Sequence, residues 1–168
     1  AGSAAAAWAA RAGKDVLLID GAEFPRDKTC GDGLTPRAIA QMQQLGMDSW
    51  LARRPRNTGI RMIGFGAQHD LPWNGPHLPE YGSAVARVEL DDAIRQTAVD
   101  AGAGFAAPAR ARDVLRDPDG SVAGVIVDRN GDRETIHCRK LIVADGVRSP
   151  LGRLLGRMWH RETVYGVA

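Results

Sequence analysis

The sequence predicts an α/β fold with a parallel sheet, and three stretches carry that prediction. Residues 1–20, AGSAAAAWAARAGKDVLLID, read as a small-residue helix, a polar turn, a short apolar strand and a terminal acid. That order is the second half of a βαβ unit. Residues 141–144, LIVA, are apolar throughout, as expected of a strand buried on both faces, and run directly into Asp145-Gly146. Between these two stretches, residues 111–138 hold three strand-like segments joined by Asp117-Pro118-Asp119-Gly120 and Asn130-Gly131. Asn-Gly is a two-residue hairpin signal because both positions tolerate positive φ. The expected architecture is a parallel sheet with an inserted three-stranded β-meander.

Each element has a local reason. In the first helix Ala and Gly permit close approach to a sheet. Gly2 leaves room at a helix N-terminus, where free N–H groups and the dipole favour an anion such as a pyrophosphate. Asp20, ending the next strand, is placed to accept hydrogen bonds from ribose hydroxyls. The plainer alternative is a surface helix packed on a sheet. Residues 21–33, GAEFPRDKTCGDG, form a long loop, and length favours function over mere connection. Thr35-Pro36 gives an N-cap and a proline at the first helical position. Ile39, Met42 and Leu45 form an apolar stripe that Gly46 ends, and a short Trp-containing helix follows over 48–53. Residues 58–66 and 71–73 read as strands interrupted by Gly and Pro, and 83–86 as extended. Arg87 opens the clearest helix, with Leu90, Ile94, Ala98 and Ala101 at helical spacing, Asp91 and Asp92 near its start and Gly102 closing it.

Composition narrows the function. The chain has 168 residues, 44% hydrophobic and 25% charged, enough for a domain with its own core. A net charge of +2 and 5% aromatic residues give neither the basic surface nor the stacking platform of a nucleic-acid binder. Cys30 and Cys138 make no CxxC and no metal pattern, so no metal is expected, and reduced cytoplasmic thiols are the default. No run approaches a membrane span. The chain begins without Met at what reads as the last two positions of a glycine-rich loop. It is therefore expected to be a piece truncated at both ends.

The order of these elements, together with KTCGDGL at 28–34, Arg87-x-x-Leu90-Asp91 and VADGVRS at 143–149, resembles the flavoprotein superfamily of aromatic hydroxylases. Within it the chain is similar to the geranylgeranyl reductase family, and FPRDKTCGDGLTPRA at 24–38 resembles actinobacterial members acting on the isoprenoid tail of menaquinone. The resemblance implies a Rossmann-like FAD-binding domain over 1–160, lacking its first strand, and the start of a substrate-binding domain over 161–168. It implies FAD, reduced by NAD(P)H or another electron donor. Gly2 would face the pyrophosphate, Asp20 the adenosine ribose and Arg87 the phosphate–ribose arm of the flavin. Lys28, Gly31 and Gly33 would belong to the loop at the cofactor, and Asp145 and Gly146 to the strand end where ligands of such sheets bind. Cys30 would lie beside the isoalloxazine as a catalytic-site residue, its role as acid or thiolate left open.

Plainer readings stand beside these. Arg87 matches a salt bridge to Asp91, Asp145-Gly146 a simple turn, and Cys30 a small buried hydrophobe. Lys28, Asp27 and Asp32 match solvated charges, and Cys138 a core position. Trp73 and Tyr81 suit either a lipid channel or the core. Arg153, Arg157 and Arg161 share one face if 151–161 is helical, facing solvent or anionic headgroups.

The implied reaction is reduction of an isolated C=C in a prenylated lipid. The protein would be cytoplasmic, with peripheral contact at the inner face of the membrane, no nucleic acid and no obligate protein partner. An FAD-dependent aromatic hydroxylase is the alternative enzyme. A prenyl-lipid carrier resembling the dissociation inhibitors of small GTPases is the alternative outside enzymes, and the intact KTCGDGL loop counts against it. Lacking a first strand and the start of the glycine loop, the chain by itself is expected to be poorly soluble and to hold FAD weakly.

Overall fold

The computed structural model describes residues 1–30 and 32–158. Gly31, Arg161 and the expected second domain at 161–168 lie outside the described residues. The chain falls into two compact units, one made of Ala1–Arg26 with Ile94–Ala168 and the other of Asp27–Ala93.

In chain order, α1 (Gly2–Arg11) leads through a turn with Gly13 at φ +70° into β1 (Leu17–Ile19). A long loop then ends in β2 (Gly33–Leu34). Thr35 caps α2 (Pro36–Gln44), its hydroxyl accepting from the Ala38 N–H at 3.4 Å, and Ile39, Met42 and Leu45 are buried as the stripe predicts. The elements α3 (Asp48–Leu51), β3 (Arg56–Asn57), β4 (Gly59–Gly64), β5 (Ala67–Pro72) and β6 (Gly82–Ala84) complete the second unit up to the start of α4 (Arg87–Asp100). The first unit resumes with the rest of α4 and continues through β7 (Gly104–Ala106), β8 (Arg110–Arg116), β9 (Val122–Arg129), β10 (Asp132–His137) and α5 (Pro150–Leu154).

In the first unit β1 pairs with β7 in parallel, Leu17 opposite Gly104 and Ile19 opposite Ala106. The meander appears as expected, in the order β10-β9-β8, with Asn130 and Gly131 both at positive φ in the turn. Its inner face joins Val125 and Val127 to Ala106, Ala109 and Leu151 in one apolar cluster. Two expectations for this unit are corrected. Residues 141–144 are not a strand buried on both faces: they join no ladder, and Ile142 is 66% exposed. Among the described residues no neighbouring strand offers them backbone hydrogen bonds, so burial alternates instead of being continuous. β1 is also less buried than an apolar run suggests, because β7 covers only one of its edges and Leu17 stays 48% exposed. Over 151–158 there is no long arginine-faced helix either. α5 stops at Leu154, Gly156 turns the chain at φ +88°, and Arg153 is spent on the Arg148 carbonyl at 2.8 and 3.1 Å.

In the second unit β6 is the middle strand of an antiparallel trio, β2-β6-β3. The segments read as strands broken by Gly and Pro are instead one regular hairpin, β4 with β5: Gly59 and Gly64 pair within the ladder and Gly66 serves the turn at Phe65-Gly66 (φ +50° and +76°). Among the described residues no helix is long and apolar enough to cross a membrane.

Gly82 is the tightest point of the trio. A Cβ there would stand 2.5 Å from the Leu34 carbonyl oxygen and 2.8 Å from Asn57 Oδ1, so Gly82→Ala is expected to cost about 1–3 kcal/mol by overpacking. Gly64 has open space around it, and Gly64→Ala should stay within about 0.5 kcal/mol of wild type. Urea denaturation of the two variants compares them, and equal midpoints would show that β6 tolerates a side chain at its first residue.

Candidate functional site

In the first unit, Gly2 opens α1 at a close approach to β1 and to the 141–144 segment. A Cβ built on Gly2 would contact Leu18 Cδ1 at 3.6 Å and Ala144 Cβ at 3.5 Å. The N-terminus of α1 thus rests between β1 and the 141–144 segment, and the missing side chain serves that close approach. α1 has no side-chain cap hydrogen bond and no acid in its first turn, and the positive end of a helix favours an anion.

Asp20 follows β1 directly. Its backbone closes the end of the sheet, donating to the Ala106 carbonyl at 3.2 Å and accepting from the Ala109 N–H at 2.7 Å. Its carboxylate accepts from the Ala22 N–H at 3.0 Å and from Arg26 Nε and Nη2 at 3.3 and 3.2 Å. Arg26 is a residue that sequence reasoning missed. Its guanidinium also lies 4.8 Å above the Phe24 ring, which meets Phe105 edge-on at 5.6 Å. The signal was an arginine in a loop already judged functional, but nothing local said that the loop turns back to Asp20.

Asp145 is not just a turn residue. Its carboxylate accepts from the Ser149 hydroxyl and from the Leu151 N–H at 3.0 Å, while Ser149 Oγ also accepts from the Gly152 N–H at 3.1 Å. Acid and hydroxyl together satisfy the open N–H groups at the start of α5, with Gly146 at φ +89° making the preceding turn.

The second unit holds Lys28, Cys30, Gly33 and Arg87. Lys28 is exposed, and its N–H donates to Asp27 Oδ1 at 2.7 Å. Gly33 is in β2, opposite Ala84 of β6, and the Val85 N–H donates to the Asp32 carbonyl at 2.9 Å. This short ladder fastens the end of the cysteine loop to the chain that enters α4. Cys30 lies two residues before Asp32 and Arg87 two after Val85, so the ladder brings the cysteine loop and the start of α4 to the same end of β6. The thiol of Cys30 is exposed, not a buried hydrophobe. Its pKa is drawn below the ordinary value by the Asp32 backbone N–H first and the Arg87 guanidinium second. Arg87 also makes the salt bridge to Asp91 that the plainer reading allowed, at 2.7 Å. Trp73, half-buried, donates its indole N–H to Asn57 at 2.7 Å and walls an open cavity of about 350 Å³ with Pro36, Arg37 and Leu78. Tyr81 instead stacks under Arg56, 4.3 Å from ring centroid to guanidinium.

Against known proteins, the model of a family described as an FAD binding domain matches residues 1–167. The chain belongs to that family. It is 60% identical over all 168 residues to menaquinone reductases of Mycolicibacterium smegmatis and Mycobacterium tuberculosis, and 33% identical over 157 residues to digeranylgeranylglycerophospholipid reductase 1 of Methanopyrus kandleri. It spans about 40% of the length of each of these relatives. Among solved structures, a geranylgeranyl bacteriochlorophyll reductase-like protein from Thermoplasma acidophilum superposes with TM-score 0.76 at 24% identity, covering 92% of this chain and 39% of that one. The flavin-dependent brominase Bmp2 gives TM-score 0.79 at 26% identity, covering 93% and 38%. The mixed α/β fold is thus that of FAD-dependent enzymes with several chemistries.

Ser149→Ala removes a hydroxyl that serves both α5 and Asp145. The expected loss is about 0.5–2 kcal/mol of stability, as for other helix caps, read from the denaturation midpoint. An unchanged midpoint would mean that Asp145 alone satisfies the start of α5.

Proposed function

We propose that this chain is the FAD-holding part of an enzyme that reduces an isolated C=C bond in a prenyl chain, with the isoprenoid tail of menaquinone as substrate. The observation that carries the reading is the 60% identity to menaquinone reductases across the whole chain. NAD(P)H or another donor would reduce the flavin. Residues 1–160 would form the FAD-binding domain and 161–168 open a substrate-binding domain. The protein would work in the cytoplasm, meeting its lipid substrate by peripheral contact at the inner face of the membrane.

The residues present fit FAD. The uncapped α1 N-terminus at Gly2 suits the pyrophosphate. Asp20, 28% exposed with carboxylate lone pairs to spare beyond its bonds to Ala22 and Arg26, suits ribose hydroxyls. Arg87, Lys28, Gly31 and Gly33 are assigned to the phosphate–ribose arm and the ring, and Asp145 with Gly146 to the loop beside the cofactor.

Held by these residues, FAD in its reduced form would provide hydride chemistry at the double bond. Protonation of an unactivated alkene builds positive charge on carbon, and that charge needs stabilisation in a dry environment. A thiol drawn toward thiolate by Asp32 and Arg87 is a poor acid and a good counter-charge. We therefore give Cys30 the stabilising role and leave proton delivery to water or another group. The sign of the pH dependence follows. The thiolate fraction grows as pH rises through the lowered Cys30 pKa, so turnover should rise across that window and lose the rise in Cys30→Ser. A fall across the same window would make Cys30 the acid.

The decisive experiment incubates the intact protein with FAD, a reductant and menaquinone, in parallel with and without oxygen, and weighs the product. A gain of two hydrogens located in the tail is expected. Oxygen-dependent hydroxylation without tail reduction would replace this reading with the hydroxylase. For the cofactor contact, Asp20→Ala should weaken FAD binding by about 1.5–3 kcal/mol, the range for a hydrogen bond to a charged group. Calorimetric titration measures it, and an unchanged Kd would remove Asp20 from the site.

A further inference from the structure

The backbone of Asp20 is fixed to the end of β7, but a carboxylate at a strand end still turns about its side-chain bonds. Two sets of donors hold it. The Ala22 N–H donates to Oδ1 at 3.0 Å, and Arg26 donates to Oδ2 from Nε at 3.3 Å and from Nη2 at 3.2 Å. These bonds engage both oxygens and leave acceptor capacity on a side chain that is 28% exposed. Arg26 is held in its turn. Its guanidinium lies 4.8 Å from the Phe24 centroid, Phe24 meets Phe105 edge-on at 5.6 Å, and Arg95 covers Phe105 at 5.0 Å. Phe105 stands opposite Leu18 in the β1–β7 ladder. The support therefore closes a ring within the first unit, from β1 across β7 to Phe24 and Arg26 and back to the acid that follows β1.

We propose that Arg26 is a positioning residue that acts through Asp20: it holds the carboxylate in the orientation that accepts from the adenosine 2′-hydroxyl of FAD, and so makes the site select for that hydroxyl. The inference rests on the reading of Asp20 as the ribose contact. Arg26 acts on the acid in two ways of opposite sign. Its charge weakens the carboxylate as an acceptor, and its fork keeps the carboxylate still. Both side chains are about a quarter exposed, 24% for Arg26 and 28% for Asp20, so solvent screens the first effect. The second persists, because a hydrogen bond weakens steeply as its angle closes. Orientation is the larger effect.

The test is calorimetric titration of the flavin-free intact protein with FAD and with its analogue carrying 2′-deoxyadenosine. The ratio of the two dissociation constants reads the hydroxyl alone. A variant that merely loosens the fold weakens both ligands and leaves the ratio unchanged. Wild type should hold FAD roughly tenfold or more tighter than the analogue, and Asp20→Ala should bring the ratio to about one. Arg26→Met keeps an apolar stem against Phe24 and removes the donors, and it should lower the ratio by roughly threefold or more. Added to Asp20→Ala, it should change FAD affinity no further, because it acts through that acid. A wild-type ratio in Arg26→Met, or a further loss of FAD affinity in the double variant, overturns the proposal and leaves Asp20 at the ribose. If Arg26→Met does not fold, Arg26→Lys takes its place. Charge without the planar fork should still lower the ratio, and an unchanged ratio overturns the proposal. A ratio of about one in wild type, or a wild-type ratio in Asp20→Ala, removes the ribose contact and the proposal with it. A protein that shows the expected pattern yet reduces no prenyl chain would fail the functional reading and leave the role of Arg26 standing.

Discussion

A guanidinium at the N-terminus of a helix and a thiol in the loop before it are the two groups on which the second unit is built. Arg87 stands where the helix dipole is against it by about 0.3–1 kcal/mol, and the i,i+4 carboxylate of Asp91 holds it there. Its position matters only because the loop bearing Cys30 is held to the same place. That is the work of a very short ladder: Gly33 and Leu34 against Ala84 and Ser83, extended by Val85 to Asp32. Gly82 lets the third strand close on the other side with no room to spare. A few backbone hydrogen bonds thus join two groups distant in sequence, and the electrostatics of the thiol follow from the backbone.

The first unit solves a different problem. It offers an anion a helix end without a cap, beside an acid at the end of a strand. Asp20 is held by Arg26, so the carboxylate that suits a ribose is oriented in advance and its charge is partly neutralised. The same economy recurs at Asp145, whose carboxylate is oriented by Ser149 and the start of α5. In both places an acid that a sequence motif marks as functional is also a local structural element. The plainer readings and the functional ones are therefore compatible: a salt bridge or a turn is how the side chain is kept in place.

What the sequence made legible was local. Thr35-Pro36 announces α2, Asn130-Gly131 announces the meander turn, and the spacing of Leu90 and Ala98 gives α4 its buried side, because each signal lies within a few residues of its effect. Elements defined by distant partners were hidden. β7 is three residues, Gly-Phe-Ala, with no strand pattern of its own, and it exists because Leu17–Ile19 lies beside it. β2 and β3 are two residues each, made by β6. The converse holds at 141–144, where a strongly apolar run reads as a strand and has no partner among the described residues to make it one. At the site, residue types at Cys30, Arg87, Asp20 and Asp145 were visible in the sequence, whereas the partners that tune them, Arg26, Ser149 and the Asp32 backbone, come from chain reversals that no periodicity encodes.

The central claim is that Cys30 is held as a thiolate-prone group next to bound flavin, and the absorption of the bound cofactor tests it most directly. A thiolate against an oxidised flavin ring donates charge to it and gives a broad long-wavelength band. The account predicts that this band grows with pH in the FAD-loaded intact protein and is absent from Cys30→Ser. Indistinguishable spectra of the two proteins across the thiol titration range would contradict it, and would place Cys30 away from the cofactor.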